Sequence, residues 1–277
     1  MIIDQFTSLY GVAGNPIGHS LSPVMHNSAF LSKDINAVYL AFETEDMEGC
    51  IRSMRTLNIK GMSVTIPLKT AVIPYLDEID PLAGKIGAVN TITNKDGRLS
   101  GYNTDALGAL KALEEKNVIL PGRTCLIIGA GGAARAIGFS LKERGVAISV
   151  VNRSPLRGKE LAHSLECPYI PLDELGKSRA DLLIQTTPVG MYPDIELCPV
   201  PETVFDEKTV VMDIIYNPLE TRLLKTAKAR GSITINGLSM FIHQGAEQFR
   251  LWRDIDPPIS VMRQAVEEVL SRQNERN

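Results

Sequence analysis

Aromatic residues are scarce in this chain, 5% of 277 residues, with one tryptophan, Trp252. Cysteine is scarcer: Cys50, Cys125, Cys167 and Cys198 lie far apart and form no C-x-x-C pair. That spacing excludes a disulfide frame. The four read as small buried hydrophobes in a reducing compartment, so a cytoplasmic location is expected. The four histidines, His19, His26, His163 and His243, show no metal-ligand spacing with the cysteines, so no metal is expected. No apolar run approaches the roughly 18–20 residues of a membrane helix, and no membrane partner is expected. Charge of neither sign dominates: 29 Lys and Arg stand against 32 Asp and Glu, net -3, which gives no reason to expect a nucleic-acid or anionic-membrane partner. The opening "MIIDQFTSLY" carries Asp4 and no basic region, so a secretory leader is not expected there. Internal repeats and low-complexity segments are also lacking.

Short β-rich runs alternate with helical patterns: "SLYGVAG", "AVYLAFE", "GMSVTIP", "TCLIIGA", "AISVVNR", "ADLLIQT" and "TVVMDII". Residues 23–31 and 47–57 between them have helical spacing. This alternation predicts βαβ units and a mostly parallel sheet, an α/β fold. The length suits two domains of roughly 100–200 residues. One boundary is placed near residue 105, where "GYNTDALGALKALEEK" has the spacing of a helix capped by Asn103 or Thr104. A second lies near "TINGLSM". The closing helix puts Val261, Met262, Ala265, Val266, Val269 and Leu270 on one face, and the last helices are expected to pack back onto the first domain. The expectation is a first α/β domain of residues 1–105 completed by 238–277. A Rossmann-type doubly wound domain of 106–237 accompanies it, with a cleft between the two.

The segment "TCLIIGAGGAARAIGFSLKERGVAISVVNRS" carries the most specific local signal. Gly129, Gly131 and Ala134 fit the G-x-G-x-x-G/A fingerprint between a strand and a helix. Gly129 allows the tight turn, Gly131 lets the backbone approach a pyrophosphate, and Ala134 allows close helix–strand packing. An NAD site carries an acid about 20 residues on. Here the second strand ends in "NRSPLRGK", with no acid until Glu160. Arg153 can pair with a 2′-phosphate and Ser154 can donate to it, while Arg157 and Lys159 add positive charge. NADP is the expected cofactor.

Reduction of a ketone leaves an alkoxide that must be protonated. No tyrosine here is followed by lysine at the fourth position, so the tyrosine–lysine solution is absent. Lysines and isolated histidines remain. Lys69, after "VTIPL", reads as a cation at a helix start, where the macrodipole would lower its pKa, or as an ordinary solvated charge. Asp105 is a helix-start charge with the same two readings. Ser22, before Pro23, suits a helix N-cap. His19 and His26 read first as structural.

The stretches "GNPIGHSLSPVMHN", "GMSVTIPLK", "GAVNT", "GYNTD", "GAGGAARA", "NRS", "TTPVGMYP", "DIIYNPLETRLLKTAKARG" and "GLSMFIHQGAEQFRLW" together resemble the shikimate dehydrogenase family, in its order and over nearly the whole chain. The resemblance implies NADP-linked, reversible reduction of 3-dehydroshikimate to shikimate in aromatic amino-acid biosynthesis, by a monomer or homodimer. It implies that Lys69 is the catalytic acid–base group and Asp105 its partner carboxylate. Ser20 and Ser22 match the pair that holds the substrate carboxylate; Thr65, Asn90, Tyr216 and Gln244 match further substrate contacts. Gly129, Ala130, Gly131, Gly132 and Ala133 match one cofactor loop, and Asn152, Arg153, Ser154 and Arg157 the other. Ile214, Gly237 and Met240 match the nicotinamide end. Tyr216 also reads as a loop cap before Asn217-Pro218, and Met240 as a core residue. Two positions depart from the pattern: Ser63 stands where asparagine is usual, which puts a local hydrogen bond in doubt, and Pro81 where an acid can occur. The rival readings are a dual quinate/shikimate enzyme and a non-catalytic sensor of the same fold, which would be expected to have lost Lys69 or Asp105.

Overall fold

A computed structural model describes residues 3–274. In chain order the first elements are β1 (Ser8–Gly14), α1 (Ser22–Ser32), β2 (Ala37–Glu43), α2 (Met47–Thr56), β3 (Gly61–Val64), β4 (Glu78–Ile79), α3 (Pro81–Ile86), β5 (Thr91–Lys95) and β6 (Arg98–Tyr102). Then come α4 (Asp105–Glu114), β7 (Thr124–Ile128), α5 (Gly132–Glu143), β8 (Ala147–Asn152), α6 (Pro155–Leu165), β9 (Tyr169–Pro171), β10 (Leu182–Gln185), β11 (Val210–Asp213), α7 (Arg222–Ala229) and β12 (Ile233–Ile235). The chain ends with α8 (Gly237–Arg253) and α9 (Ile259–Asn274). It forms two compact units, Met1–Thr104 with Ile242–Asn277, and Asp105–Phe241.

The first unit is built on a six-stranded sheet in the order β2-β1-β3-β5-β6-β4. The sheet is mostly parallel, as expected: β2, β1, β3, β6 and β4 run one way, and β5 alone runs antiparallel, to β3 and β6. The β5–β6 hairpin turns through Asp96 (φ 53°) and Gly97 (φ 88°). Asp-Gly is the dipeptide whose left-handed tolerance suits a two-residue hairpin loop. One core cluster joins Met47, Ile51 and Met54 of α2 to Met62, Val64, Ile92 and Leu99 of the sheet. Another gathers a large share of the scarce aromatics: Tyr10, Phe30, Tyr39 and Trp252 lie within ring-contact distance of one another or of His26. Phe249 packs on Phe30, and α9 packs on α1. A side chain at Gly61 would strike the Trp252 indole, whose Nε1 donates to Ile92 O at 2.9 Å. Helix α8 therefore contacts the sheet's backbone directly.

The second unit holds a parallel sheet ordered β12-β11-β10-β7-β8-β9. Renumbered within the unit, that is the 3-2-1-4-5-6 order of dinucleotide-binding folds. Both faces are covered, as a parallel sheet requires. Along β7, Cys125 and Ile127 enter one core cluster and Leu126 and Ile128 the other. Among the cysteines, only Cys125 is fully buried; Cys50, Cys167 and Cys198 are half-buried, a correction to the expectation of four core residues. No helix among the described residues is long and apolar enough to cross a membrane.

Candidate active site

In the first unit, the end of β3 and the start of β5 collect the candidate polar groups. Val64 N donates to Asn90 O at 2.8 Å and Thr65 N to Ala13 O at 2.9 Å. The chain then turns instead of entering a helix. Residues 66–72 form successive turns, and only a one-turn 3-10 helix, Ile73–Tyr75, follows. The expected helix start at Lys69 is therefore corrected, and its macrodipole argument falls with it. Pro67 and Pro74 lack the amides a continuous helix would use. Lys69 is half-buried, and its carbonyl accepts from Val89 N at 2.8 Å, which ties the turn to the residue beside Asn90. Asn90 is buried: its Oδ1 accepts from Thr104 N at 2.8 Å and its Nδ2 donates to Thr104 Oγ1 at 3.1 Å. Thr104 precedes Asp105, which is buried and opens α4.

Ser20 and Ser22 flank the start of α1. Ser22 is buried and is the first residue of the helix; the cap position belongs to Leu21, so the expectation of a Ser22 N-cap is corrected. The first turn of α1 carries no acidic residue and no side-chain cap. Its positive dipole end is thus available to an anion. Ser20 Oγ accepts from Ser22 N at 3.3 Å. Gln244 is half-buried on α8 within the same unit. Ser63, the departure noted above, keeps a polar role: Tyr39 Oη donates to it at 2.7 Å and it donates to Gln248 Oε1 at 2.9 Å. His26 is in the core and His19 is exposed.

In the second unit, the glycine loop lies between β7 and α5. Gly129 adopts φ +118°, and a side chain there would strike Thr186 Oγ1. Gly131 caps α5 with extended backbone, and a Cβ on it would meet no protein atom within 4 Å. Open space above a helix N-terminus, with Ala130, Gly132 and Ala133 beside it, fits a pyrophosphate. Ala134 is fully buried against the sheet. Across the loop, the buried Gln185 holds residues 187–189 by three bonds: its Nε2 donates to Thr187 O and Val189 O at 3.0 Å, and its Oε1 accepts from Thr187 N at 2.9 Å.

At the end of β8, Asn152 Nδ2 donates to Ser154 O and Asn152 O accepts from Tyr169 Oη. Ser154 holds the cap position of α6 without spending its hydroxyl on a capping bond. Arg153 and Arg157 are exposed and form no ion pair among the described residues. Arg153 lines a depression of about 400 Å³ with Tyr169, Pro171, Leu172 and Asp173. Two uncommitted guanidinium groups and a free hydroxyl fit a phosphate ester beside a ribose.

The strand β11 ends in a residue that the sequence analysis did not single out. Asp213 is fully buried; its Oδ1 accepts from Ile215 N at 3.1 Å and its Oδ2 from Thr221 Oγ1 at 2.7 Å. It therefore pins the loop that carries Ile214 and Tyr216. Tyr216 stacks on Phe241 at 4.4 Å between ring centroids. Gly237 approaches the same loop so closely that a side chain would overlap Ile214 O. Met240 is buried in the core of this unit, and Ile214 packs against the same cluster.

Burial pushes the Asp213 carboxyl up to about 7, against the two hydrogen bonds that pull it down. An acid raised in the folded state gives stability that is present below its unfolded value near 3.8 and lost as pH rises through about 7. Asp213→Asn keeps a polar side chain without the charge. Its stability relative to the unsubstituted protein is expected to improve by roughly 1 kcal/mol per pH unit between about pH 4 and 7. Urea unfolding at several pH values checks this; parallel curves for the two proteins would show that the buried carboxyl is not carrying the penalty.

No group of three or more His, Cys, Asp or Glu comes together as a metal site among the described residues. The matching family models are a shikimate dehydrogenase substrate binding domain over residues 12–92, a shikimate/quinate 5-dehydrogenase model over 111–192, and a shikimate 5'-dehydrogenase C-terminal domain over 237–267. A shikimate dehydrogenase (NADP(+)) of Bacillus cereus is 48% identical over 274 residues, covering 95% of this chain and 98% of the relative. A shikimate 5-dehydrogenase of Thermus thermophilus, solved with NADP(H) and shikimate, superposes with a TM-score of 0.88 at 39% identity, covering 95% of this chain and 99% of the other. A shikimate dehydrogenase solved with NADP+ superposes at 0.92 and 42% identity, covering 97% and 98%.

Proposed function

The chain belongs to the shikimate dehydrogenase family, and from that premise we propose how its residues divide the work of reducing 3-dehydroshikimate to shikimate. It is an NADP-linked oxidoreductase of the shikimate pathway, and so of aromatic amino-acid biosynthesis. The first unit is the substrate unit and the second the NADP unit. NADPH, when bound, supplies a hydride to the carbonyl carbon. Lys69 donates a proton to the carbonyl oxygen as negative charge develops there, and takes it back in the oxidation. Asp105 holds the Lys69 ammonium in place and accepts from a substrate hydroxyl. Ser20, Ser22 and the uncapped start of α1 take the substrate carboxylate; Thr65, Asn90, Tyr216 and Gln244 take its hydroxyls.

Gly129, Ala130, Gly131, Gly132 and Ala133 cradle the pyrophosphate, and Asn152, Arg153, Ser154 and Arg157 the adenosine 2′-phosphate. Ile214, Gly237 and Met240 shape the nicotinamide end. The observation that carries the reading is the backbone pairing that gathers Thr65, Lys69 and Asn90: Val64 N to Asn90 O and Val89 N to Lys69 O, both at 2.8 Å. It ties the backbone of Lys69 to that of Asn90 where β3 ends and β5 begins.

The test is an initial-rate assay of 3-dehydroshikimate and 3-dehydroquinate with NADPH and with NADH. Turnover is expected for 3-dehydroshikimate with NADPH, well above the other three combinations. Comparable rates on both substrates would move the reading to a dual quinate/shikimate enzyme, and folded protein without turnover would move it to a sensor.

A further inference from the structure

Seven polar side chains in the core of the first unit form one connected hydrogen-bond chain. Thr104 bonds to Asn90 and Thr91, these two meet Gln248 of α8, and Gln248 meets Ser63, His26 and, through Ser63, Tyr39; none of the seven exceeds 5% exposure. The direction of every bond follows from one end. The backbone N–H of Thr104 can only donate, so the Asn90 atom facing it at 2.8 Å is the oxygen. Thr91 Oγ1, 2.7 Å from that oxygen, must donate to it. With its one proton spent, Thr91 can only accept from Gln248, at 3.1 Å, which makes the facing Gln248 atom Nε2. The same Nε2 reaches Asn90 O at 3.4 Å.

Gln248 Oε1 is thereby turned toward Ser63 and His26, at 2.9 and 3.2 Å, and both must donate. His26 is then the tautomer protonated on Nε2, and its other nitrogen, Nδ1, is one of two buried side-chain atoms without a partner among the described residues. Burial holds His26 down at about 3, so the ring is neutral as this geometry requires. Ser63, its proton spent, accepts from Tyr39 Oη at 2.7 Å. The phenol oxygen of Tyr39 is then left as an acceptor on the side of Ser22, whose hydroxyl pulls the phenol down against its burial. Thus one glutamine, with an acceptor at one face and a donor at the other, closes a directed chain from Tyr39, beside Ser22, to Asn90.

We propose that Gln248 is a positioning residue for substrate: through Ser63 and Tyr39 it orients Ser22, and through Thr91 it orients the Asn90 carboxamide. The inference rests on the assignment of Ser22 and Asn90 as substrate contacts. Gln248 itself lies behind them and touches no substrate. A buried amide in this place is costly unless every bond is made, so the chain has one satisfactory arrangement and transmits it to both ends. Reversing any member would set two donors or two acceptors face to face.

The experiment is a double-mutant cycle in the complete enzyme. Gln248→Met keeps the length and removes the bonds; Asn90→Ala removes the group to be positioned. Steady-state kinetics read KM for 3-dehydroshikimate and for NADPH separately, with circular dichroism to check folding. Gln248→Met is expected to raise the substrate KM about tenfold while the NADPH KM stays within about twofold. In the Asn90→Ala background the same change is expected to add less than about twofold. Additive effects, equal movement of both KM values, or no effect in a folded variant would overturn the proposal. If Gln248→Met does not fold, Tyr39→Phe, which loses one hydroxyl, is paired with Ser22→Ala and read by the same criteria. An Asn90→Ala enzyme with an unchanged substrate KM would overturn the site assignment itself, and the positioning role of Gln248 toward Asn90 with it.

Discussion

Lys69→Ala is expected to lower kcat roughly a thousandfold, within the range that loss of a positioned general acid produces. The loss should fall on kcat more than on the KM for either ligand. A proton is transferred only as the carbonyl oxygen becomes an alkoxide, so the ammonium stabilises the transition state more than the bound ketone. The turn around Lys69 is held by backbone bonds. Leu68 N bonds to Thr65 O, Val72 N to Leu68 O, and Val89 N to Lys69 O, so the turn survives truncation. Thermal unfolding should therefore match that of the unsubstituted enzyme, and NADPH should still bind. A variant whose defect lies in the substrate KM alone would make Lys69 a binding cation and return the proton donor to open search.

Arg153→Ala is expected to raise the KM for NADPH about a hundredfold and to leave that for NADH nearly unchanged. Charge-assisted hydrogen bonds to a phosphate contribute about 1.5–3 kcal/mol each, and NADH offers no 2′-phosphate to make them. Arg153 is exposed and carries no ion pair among the described residues, so its removal should leave the fold intact. Parallel measurements with the two cofactors decide the point. Equal losses would mean that the guanidinium acts by stacking on adenine, which both cofactors share. The acidic Asp173 in the same depression gives a second reason to expect a sharp response. Once Arg153 is gone, the depression keeps that carboxylate without the guanidinium's opposing charge, which disfavours an anion there.

Much of the second unit was legible because its signals are local. The glycine fingerprint, the flanking strands and the basic tip at Arg153 occupy one continuous segment, and the parallel order of the strands follows from βαβ connections. The first unit was harder. The β5–β6 hairpin lies inside "TITNKDGRLSGY", whose polar residues hide the alternation, although its Asp-Gly turn was readable. The helix expected at Lys69 failed because the run is short and interrupted by prolines. Asp213 closes an apolar run, and no pattern marks it as a loop clamp; its role rests on Thr221, eight residues on. Gln248 is four residues from Gln244 on α8, one turn along, which is the only hint the sequence offers. Its partners Ser63, Thr91 and His26 are far away in the chain, and only folding brings them to it.

The discontinuity of the first unit has a bearing on how the chain is made. Residues 105–241 form a unit without interruption, so it can collapse as soon as it leaves the ribosome. The segment of the first unit that precedes it emerges earlier yet must wait, because Trp252, Phe249 and Gln248 reach their sheet only after the second unit has been made. Until then the aromatic face of that sheet stands open to water. The order of synthesis thus runs against the order of completion, and the unit begun first becomes whole only after the unit begun second.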